Sequence, residues 1–401
     1  MRLQELIGSL RRDERGATAV VVALTLPLVI AGAAFGVEVG YWRYDQVRVQ
    51  QAADAAAYAG AVVKRAGGAN YSDAATTAAT SNGYASASDT ITVNAPSTAT
   101  PGDANSVEVV ISRTETPMFT AMFSNHAAVV KASATASFSS AGSACILALN
   151  HSAAKATDFA GNSSIALNGC SVMSNSLASN SVNVQGSASL TAPCIYSAGG
   201  ASQGGTVTLT TCGAVKTHQP PVADPYASLV MPTVSGSCSN GNATSPGHYC
   251  SMSLKNTKTL GSGVYIIDGG TLDINANANI SCSGCTFYLV NGASVTMNGN
   301  SHVSFSAPTS GTYAGMLFIS DRSNTGSITI NGDSTSQMTG AIYSSSGAVN
   351  YIGNFSGANG CTQIVANTVS WSGNTSFSDA VTASCPGMQQ VKVGSVVRLS
   401  A

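Results

Sequence analysis

The side chains with the widest chemical reach in this 401-residue chain are ten cysteines, all placed after residue 144. They are Cys145, Cys170, Cys194, Cys212, Cys238, Cys250, Cys282, Cys285, Cys361 and Cys385. An even count confined to one segment reads as disulfides, provided that segment folds in an oxidising compartment. The connectivity stays open at this level. Cys282-Ser-Gly-Cys285 has the spacing of a redox or zinc pair. No second cysteine pair or histidine stands at metal spacing and no βαβ pattern surrounds it, so a structural disulfide is expected there too.

Acid–base chemistry has little to work with. After residue 140 the acids are Asp158, Asp224, Asp268, Asp273, Asp321, Asp333 and Asp379, scattered and without a single glutamate. Enzymes that cleave polysaccharides gather carboxylates, a metal or a basic group in one groove. Asp268 and Asp273 are the nearest pair, and Asp beside Gly is also ordinary turn chemistry. The five histidines, His126, His151, His218, His248 and His302, form no ligand spacing, and neither a Gly-x-Ser-x-Gly elbow nor a phosphate loop occurs. The chain is read as a non-enzyme with no catalytic residue, cofactor or metal.

What must position the cysteines outside the cell is the stretch Arg11 to Ala61. Ala17 to Val37 is a run of 21 residues without a charge, and a bilayer core of roughly 30 Å needs about 20 apolar residues in a helix. Arg2, Arg11, Arg12 and Arg15 precede the run, so the positive-inside rule keeps the N-terminus in the cytoplasm and everything after the run outside. Phe35, Tyr41, Trp42 and Tyr44 stand at the far end, where amphipathic rings favour the lipid–water boundary. A cleaved signal sequence is the alternative, but its apolar core is usually about 7–15 residues. Pro27 within the run is tolerable because Thr25 or a neighbouring helix can satisfy the freed carbonyl.

Beyond the run the pattern is a polar helix to Arg65, with Gln46, Gln50, Gln51 and Asp54 and a basic end at Lys64-Arg65. Small side chains at Ala52, Ala53, Ala56, Ala57 and Gly60 would let another helix come close, although alanine is also simply the best helix former.

RGATAVVVALTLPLVIAGAAFGVEVG followed by QVRVQQAADAAAYAGA resembles the N-terminal segment of the TadG-like (TadE/TadG-like) proteins of the Tad, or Flp, pilus-assembly system. Arg15-Gly16, Pro27, Glu38 and the Gln50 to Ala61 helix carry the likeness, strongly over about 50 residues and loosely to about 140. The resemblance implies an inner-membrane protein partnered by other Tad membrane proteins, TadE-like proteins and pilin. It nominates Pro27, Glu38, Ala53, Ala57 and Gly60 as helix-pairing residues. Pilin-like relatives carry a Gly before the apolar helix and a Glu five residues on; here Gly16 is followed at that distance by Val21, which departs from the pattern for cleavage at Gly16-Ala17. Some relatives carry a von Willebrand A domain with an Asp-x-Ser-x-Ser metal motif. Asp321-Arg322-Ser323-Asn324-Thr325 is the nearest match and fails at its last position, so metal-dependent adhesion is not carried over.

Composition narrows the remainder. Charged residues are 9% of the chain and the net charge is −1, which excludes a nucleic-acid-binding role. The organisation read from the chain is a basic cytoplasmic tail over 1–16, a transmembrane helix over 17–37, an Ala-rich helix over 38–66, a small α/β module over 67–140 and an all-β domain over 141–401. Within the module a helix is expected from Ser72, as its cap, to Asn82. Strands are expected over Asp89 to Asn94, Ser106 to Arg113 and Ala128 to Phe138. Pro117 to Asn125 reads as a short helix packed on them.

The all-β domain holds an internal repeat. Six hexads share a small residue, two apolar positions one residue apart and a closing glycine: Ser164-IALN-Gly169, Ser181-VNVQ-Gly186, Ser294-VTMN-Gly299, Ser327-ITIN-Gly332, Ala348-VNYI-Gly353 and Thr368-VSWS-Gly373. Short period-2 strands recurring at roughly 20 residues predict the coils of a parallel β-helix or related solenoid; an antiparallel β-sandwich is the alternative. Val215 to Pro232, with four prolines, reads as a loop or strap across the solenoid tied by Cys238 and Cys250. A rival function is binding or cleavage of a surface glycan, for which Tyr265, Tyr288, Tyr313, Tyr343, Tyr351 and Trp371 would be the exposed aromatics.

Overall fold

The computed structural model describes residues 14–85, 87–99, 103–122, 127–139, 142–241, 244–333, 335–354, 356–357, 361–379, 385, 387–394 and 396–400. The chain divides into two compact units, residues 1–139 with 397–401, and residues 140–396.

The first unit is built on one helix, α1 (Glu14–Arg65), of 52 residues. It runs unbroken through Pro27, which cannot donate to the carbonyl of Ala23. The Thr25 hydroxyl donates instead to the carbonyl of Val21, at 2.8 Å, so it does not serve the carbonyl that the proline leaves free. From Thr18 to Ala33 every residue is exposed. The helix is long and apolar enough at this end to cross a membrane. From Glu38 onward the character changes. Glu38, Asp45, Val49, Ala52, Ala53, Ala56, Ala57 and Ala61 are buried, and their three-and-four spacing lays them on one face.

That face meets α2 (Tyr71–Ser81) and an antiparallel sheet of β1 (Asp89–Asn94), β2 (Ser106–Glu115) and β3 (Ala128–Ser139). Val107, Val109 and Ile111 alternate inward from β2, as the two-residue period of a strand requires, and complete the core. The three strands lie where the alternation placed them. The α2 cap does not: the helix starts at Tyr71, its N-cap is Asn70, and no side chain closes the cap. Pro117 to Asn125 contributes only a single turn, Thr120–Met122, with no buried residue; residues 123–126 lie outside the described residues. The last strand of the chain, Val396–Ser400, joins this sheet beside β3, so the stretch expected to belong wholly to the β domain gives its end to the small module.

The second unit is mostly β, and its strands pair in parallel. Among the described residues the one antiparallel partner is Val391–Val393, alongside Gly142–Ala148. This rules out the antiparallel sandwich. Three ladders close around an apolar interior. One runs through Gly247–Leu254, Gly263–Asp268, Cys285–Val290, Met316–Ser320, Gln337–Tyr351, Thr362–Trp371, Gly142–Ala148, Ser171–Ser174 and Ile195–Ser197. The second passes through Thr271–Ile274, Ser294–Met297, Ile328–Ile330, the ends of Gln337–Tyr351 and Thr362–Trp371, then Thr157–Phe159, Val182–Val184 and Ala201–Gln203. The third has two runs, one from Thr257–Leu260 to Gln337–Tyr351 and one from Ser356–Gly357 to Thr206–Leu209.

Stack order is therefore not chain order. The chain enters in the middle of the stack at residue 142 and builds to one end at residue 209. It then crosses through residues 213–238, restarts at the other end, and fills back until Thr362–Trp371 pairs with Gly142–Ala148. Five of the six hexads sit in the second ladder, in the order 294, 327, 348, 368 and 181; the hexad at Ser164 belongs to the third. Between 368 and 181 the ladder holds Ala156-TDFA-Gly161, which has the same layout except that the buried Thr157 stands at the first apolar position, and which escaped notice in the sequence. Its closing glycine has a structural reason. Gly161 and Gly373 take φ of +67° and +76°, and a Cβ on Gly161 would lie 2.9 Å from the Gly373 nitrogen.

Candidate functional site

The residues nominated for helix pairing are spread along α1 from Pro27 to Gly60, and they do not share one surface. Pro27 lies in the exposed apolar stretch. Ala53 and Ala57 are fully buried within their own unit. A Cβ on Gly60 would meet Val107 Cγ1 at 3.1 Å and Ala75 Cβ at 3.2 Å. These small residues let α2 and the sheet of the same chain approach α1, so the close approach expected of a partner helix is taken up internally. The sequence could not distinguish the two because both need the same small side chains.

Glu38 is also engaged within the chain. Its carboxylate accepts hydrogen bonds from the amides of Met118 at 2.8 Å, Phe119 at 3.0 Å and Thr120 at 2.7 Å, and from the Thr120 hydroxyl at 2.8 Å. Four donors converge on one buried anion, the arrangement that keeps a carboxylate charged out of water. Glu38 thereby fixes the 116–122 turn to the point where the apolar run ends.

Elsewhere in the same unit, Asp89 receives the Arg113 guanidinium at 2.7 Å. This hydrogen bond, helped by Ser88 and against the effect of burial, holds the Asp89 carboxyl below the usual range. Glu115 is pushed the other way: burial first, then the neighbouring Asp45, raise its carboxyl. Asp45 itself accepts the Tyr84 hydroxyl through Oδ1 at 3.4 Å, while its Oδ2 is buried. The Arg113 guanidinium lies 4.2 Å over the Tyr84 ring and steadies this cluster. The sequence reading missed Asp45, Asp89, Arg113 and Glu115, because charges far apart in sequence give no local signal.

In the second unit the ten cysteines form five disulfides between sequence neighbours: Cys145–Cys170, Cys194–Cys212, Cys238–Cys250, Cys282–Cys285 and Cys361–Cys385. Cys282 and Cys285 are bonded to each other and buried, at 2% and 0% exposure, which removes the access that a redox pair needs. Cys238, His248 and Asp268 approach one another closely enough to suggest a metal. Cys238 is bonded to Cys250 and has no thiolate to offer. Asp268 is instead held by Asn291 at 2.7 Å and His248 at 3.0 Å, and these contacts lower its carboxyl below the usual range. Asp273 takes a different partner, Asn298, at 2.9 Å. The two aspartates nearest to a catalytic pair thus serve separate polar ladders.

The proline-rich segment lies against the first ladder as a strap. Val222, Tyr226, Leu229 and Met231 pack over Tyr288, Ile319 and Tyr343 on the outer side of that ladder. Asp321-Arg322-Ser323-Asn324-Thr325, the nearest match to an adhesion metal motif, is the clamp for this strap. Arg322 donates to the carbonyls of Tyr226 at 3.1 Å, Ala227 at 2.7 Å and Leu229 at 2.9 Å. The Ser323 hydroxyl on Asp321 is the main influence lowering that carboxyl, with the Tyr288 hydroxyl adding to it. Of the aromatics nominated for glycan contact, Tyr265, Tyr343, Tyr351 and Trp371 are 0% exposed and Tyr288 is 2% exposed. They are core residues and cannot form an exposed sugar platform; Tyr313 is half-buried at the edge of the strapped core.

Comparison with known proteins adds one match. Residues 16–63 fit the family model of Flp pilus-assembly TadE/G-like proteins. No curated protein and no solved structure matches the chain. The matched residues cover the bare apolar stretch, Glu38 and the small-residue face down to Val63, the parts of α1 that the geometry marks out. The N-terminal helix of this chain is therefore similar, over residues 16–63, to the TadE/G-like Flp pilus-assembly family.

Proposed function

We propose that this chain is a non-enzymatic envelope component of Flp pilus biogenesis, anchored by α1 and displaying its β unit outside the cytoplasm for assembly or surface adhesion. The carrying observation is the family match over residues 16–63, on a helix whose first half is bare and whose second half bears a folded module. The four arginines before the apolar run support an N-terminus in the cytoplasm at the inner membrane. Ten paired cysteines support an oxidising environment, periplasmic or extracellular, for the second unit. Its three parallel ladders read as a β-solenoid, with the strap as its cross-brace. Other Tad membrane proteins, TadE-like proteins and pilin, are the expected partners, reached through the bare part of α1.

The test is protease added to spheroplasts carrying the full chain with a tag at each end. Loss of the C-terminal tag with a protected N-terminal tag is expected, together with loss of pili on deletion of the chain. A protected C-terminal tag, or normal piliation without the chain, would overturn the reading.

A further inference from the structure

The turn at 116–122 carries three large apolar side chains that stand exposed among the described residues. Met118, Phe119 and Met122 are 51%, 44% and 82% exposed. Single exposed apolar residues are ordinary, but three on one short turn make a patch. The turn, Thr116-Pro117-Met118-Phe119-Thr120-Ala121-Met122, contains no charge. Its place is set by Glu38, which holds the amides of 118, 119 and 120.

Glu38 is the first residue beyond the uncharged run of 17–37. At 1.5 Å per residue that run spans about 31 Å, close to the roughly 30 Å of a hydrocarbon core. A carboxylate tied at this level places the turn at the same level. Phe35, Tyr41 and Tyr44 are exposed on the helix nearby, at 56%, 45% and 61%. Tyr41 and Met118 line one recess, which sets the patch beside the helix, and its uncharged, Met- and Phe-bearing composition suits the boundary between acyl chains and headgroups.

We propose that the 116–122 turn is a second membrane contact, in which Met118, Phe119 and Met122 enter the outer lipid boundary beside the helix exit. The partner is the phospholipid surface itself. The inference rests on α1 being the membrane span. Two contacts, one through the helix and one through the turn, fix the tilt of the module on the membrane, which a single helix would leave free to rotate.

The test uses the full chain in phosphatidylcholine–phosphatidylglycerol vesicles. All ten native cysteines are paired, so one added cysteine can carry an environment-sensitive fluorophore. Three variants are compared: Met122→Cys on the turn, Leu28→Cys in the apolar run and Thr80→Cys on α2. Lipids with a nitroxide near the headgroup should remove more emission from the Met122→Cys label than from the Thr80→Cys label, and lipids with a deep nitroxide should act most on Leu28→Cys. Quenching at Leu28→Cys with Met122→Cys behaving like Thr80→Cys overturns the turn contact and leaves the span standing. No lipid quenching at Leu28→Cys overturns the span and the proposal together. A blue-shifted Met122→Cys label untouched by either lipid means that protein covers the turn, and this too overturns the proposal.

Discussion

The indole of Trp371 lies flat on the ring of Phe159, with centroids 4.8 Å apart and planes 8° from parallel. On its other side it stacks on Tyr351, at 5.3 Å and 4°. Tyr351 and Trp371 come from strands late in the chain, Gln337–Tyr351 and Thr362–Trp371, and Phe159 from an early one, Thr157–Phe159. This stack is where the two halves of the β unit join, and Gly161 and Gly373 approach each other beside it.

Trp371→Ala should destabilise the β unit by about 3–5 kcal/mol, since a large buried side chain is lost at a junction with no covalent continuity. Denaturant unfolding followed by circular dichroism measures it. A loss well under 1 kcal/mol would mean that the junction is not a packed core.

Ala57→Leu should damage the module that carries it. Ala57 is fully buried against its own unit, and adding methylenes to a packed site costs about 1–3 kcal/mol. The purified variant should melt earlier in the absence of any partner protein. Unchanged melting combined with lost pilus assembly would return Ala57 to a role between chains.

Glu115 and Asp89 give the module opposite pH dependences. The Glu115 carboxyl is raised in the folded state, so the fold holds that proton more tightly than the unfolded chain. Its contribution is fullest below an unfolded value of about 4.3 and declines as pH rises to the folded value. Asp89 is lowered by Arg113, so its contribution is present above about 4 and lost as pH falls below that. Glu115→Gln stays neutral throughout. The variant should match the wild type in acid and exceed it in melting temperature near neutrality. Equal melting at every pH would show that Glu115 ionises freely beside Asp45.

The disulfides should open in order of exposure. Cys238 and Cys250 are both half-buried, whereas Cys282 and Cys285 are buried. Mild reductant followed by thiol labelling and peptide mass mapping should mark Cys238 and Cys250 first, with Cys282 and Cys285 protected until denaturant is added. Replacing Cys145 and Cys170 together by alanine should cost about 2–4 kcal/mol. Early labelling of the Cys282 peptide would contradict its burial.

Much was legible in the chain because it was encoded locally. The uncharged run from Ala17 to Val37, the continuous helix to Arg65, the three strands of the module and the stops at the hexad glycines are all set by composition and period over a few residues. The even cysteine count likewise announced complete pairing. Contacts between distant segments carried no such mark. The alanine face of α1 looked equally suited to a neighbouring helix and to its own module, and only packing against Val107 and Ala75 decided it. Glu38 gave no hint of the amides 80 residues downstream, because a carboxylate records its need for donors but not their source. Nor could a repeat reveal that residue 142 enters mid-stack. Each hexad specifies a strand that needs parallel neighbours, and which neighbours those are is set by how the whole chain closes, through the strap and the Trp371–Phe159 junction.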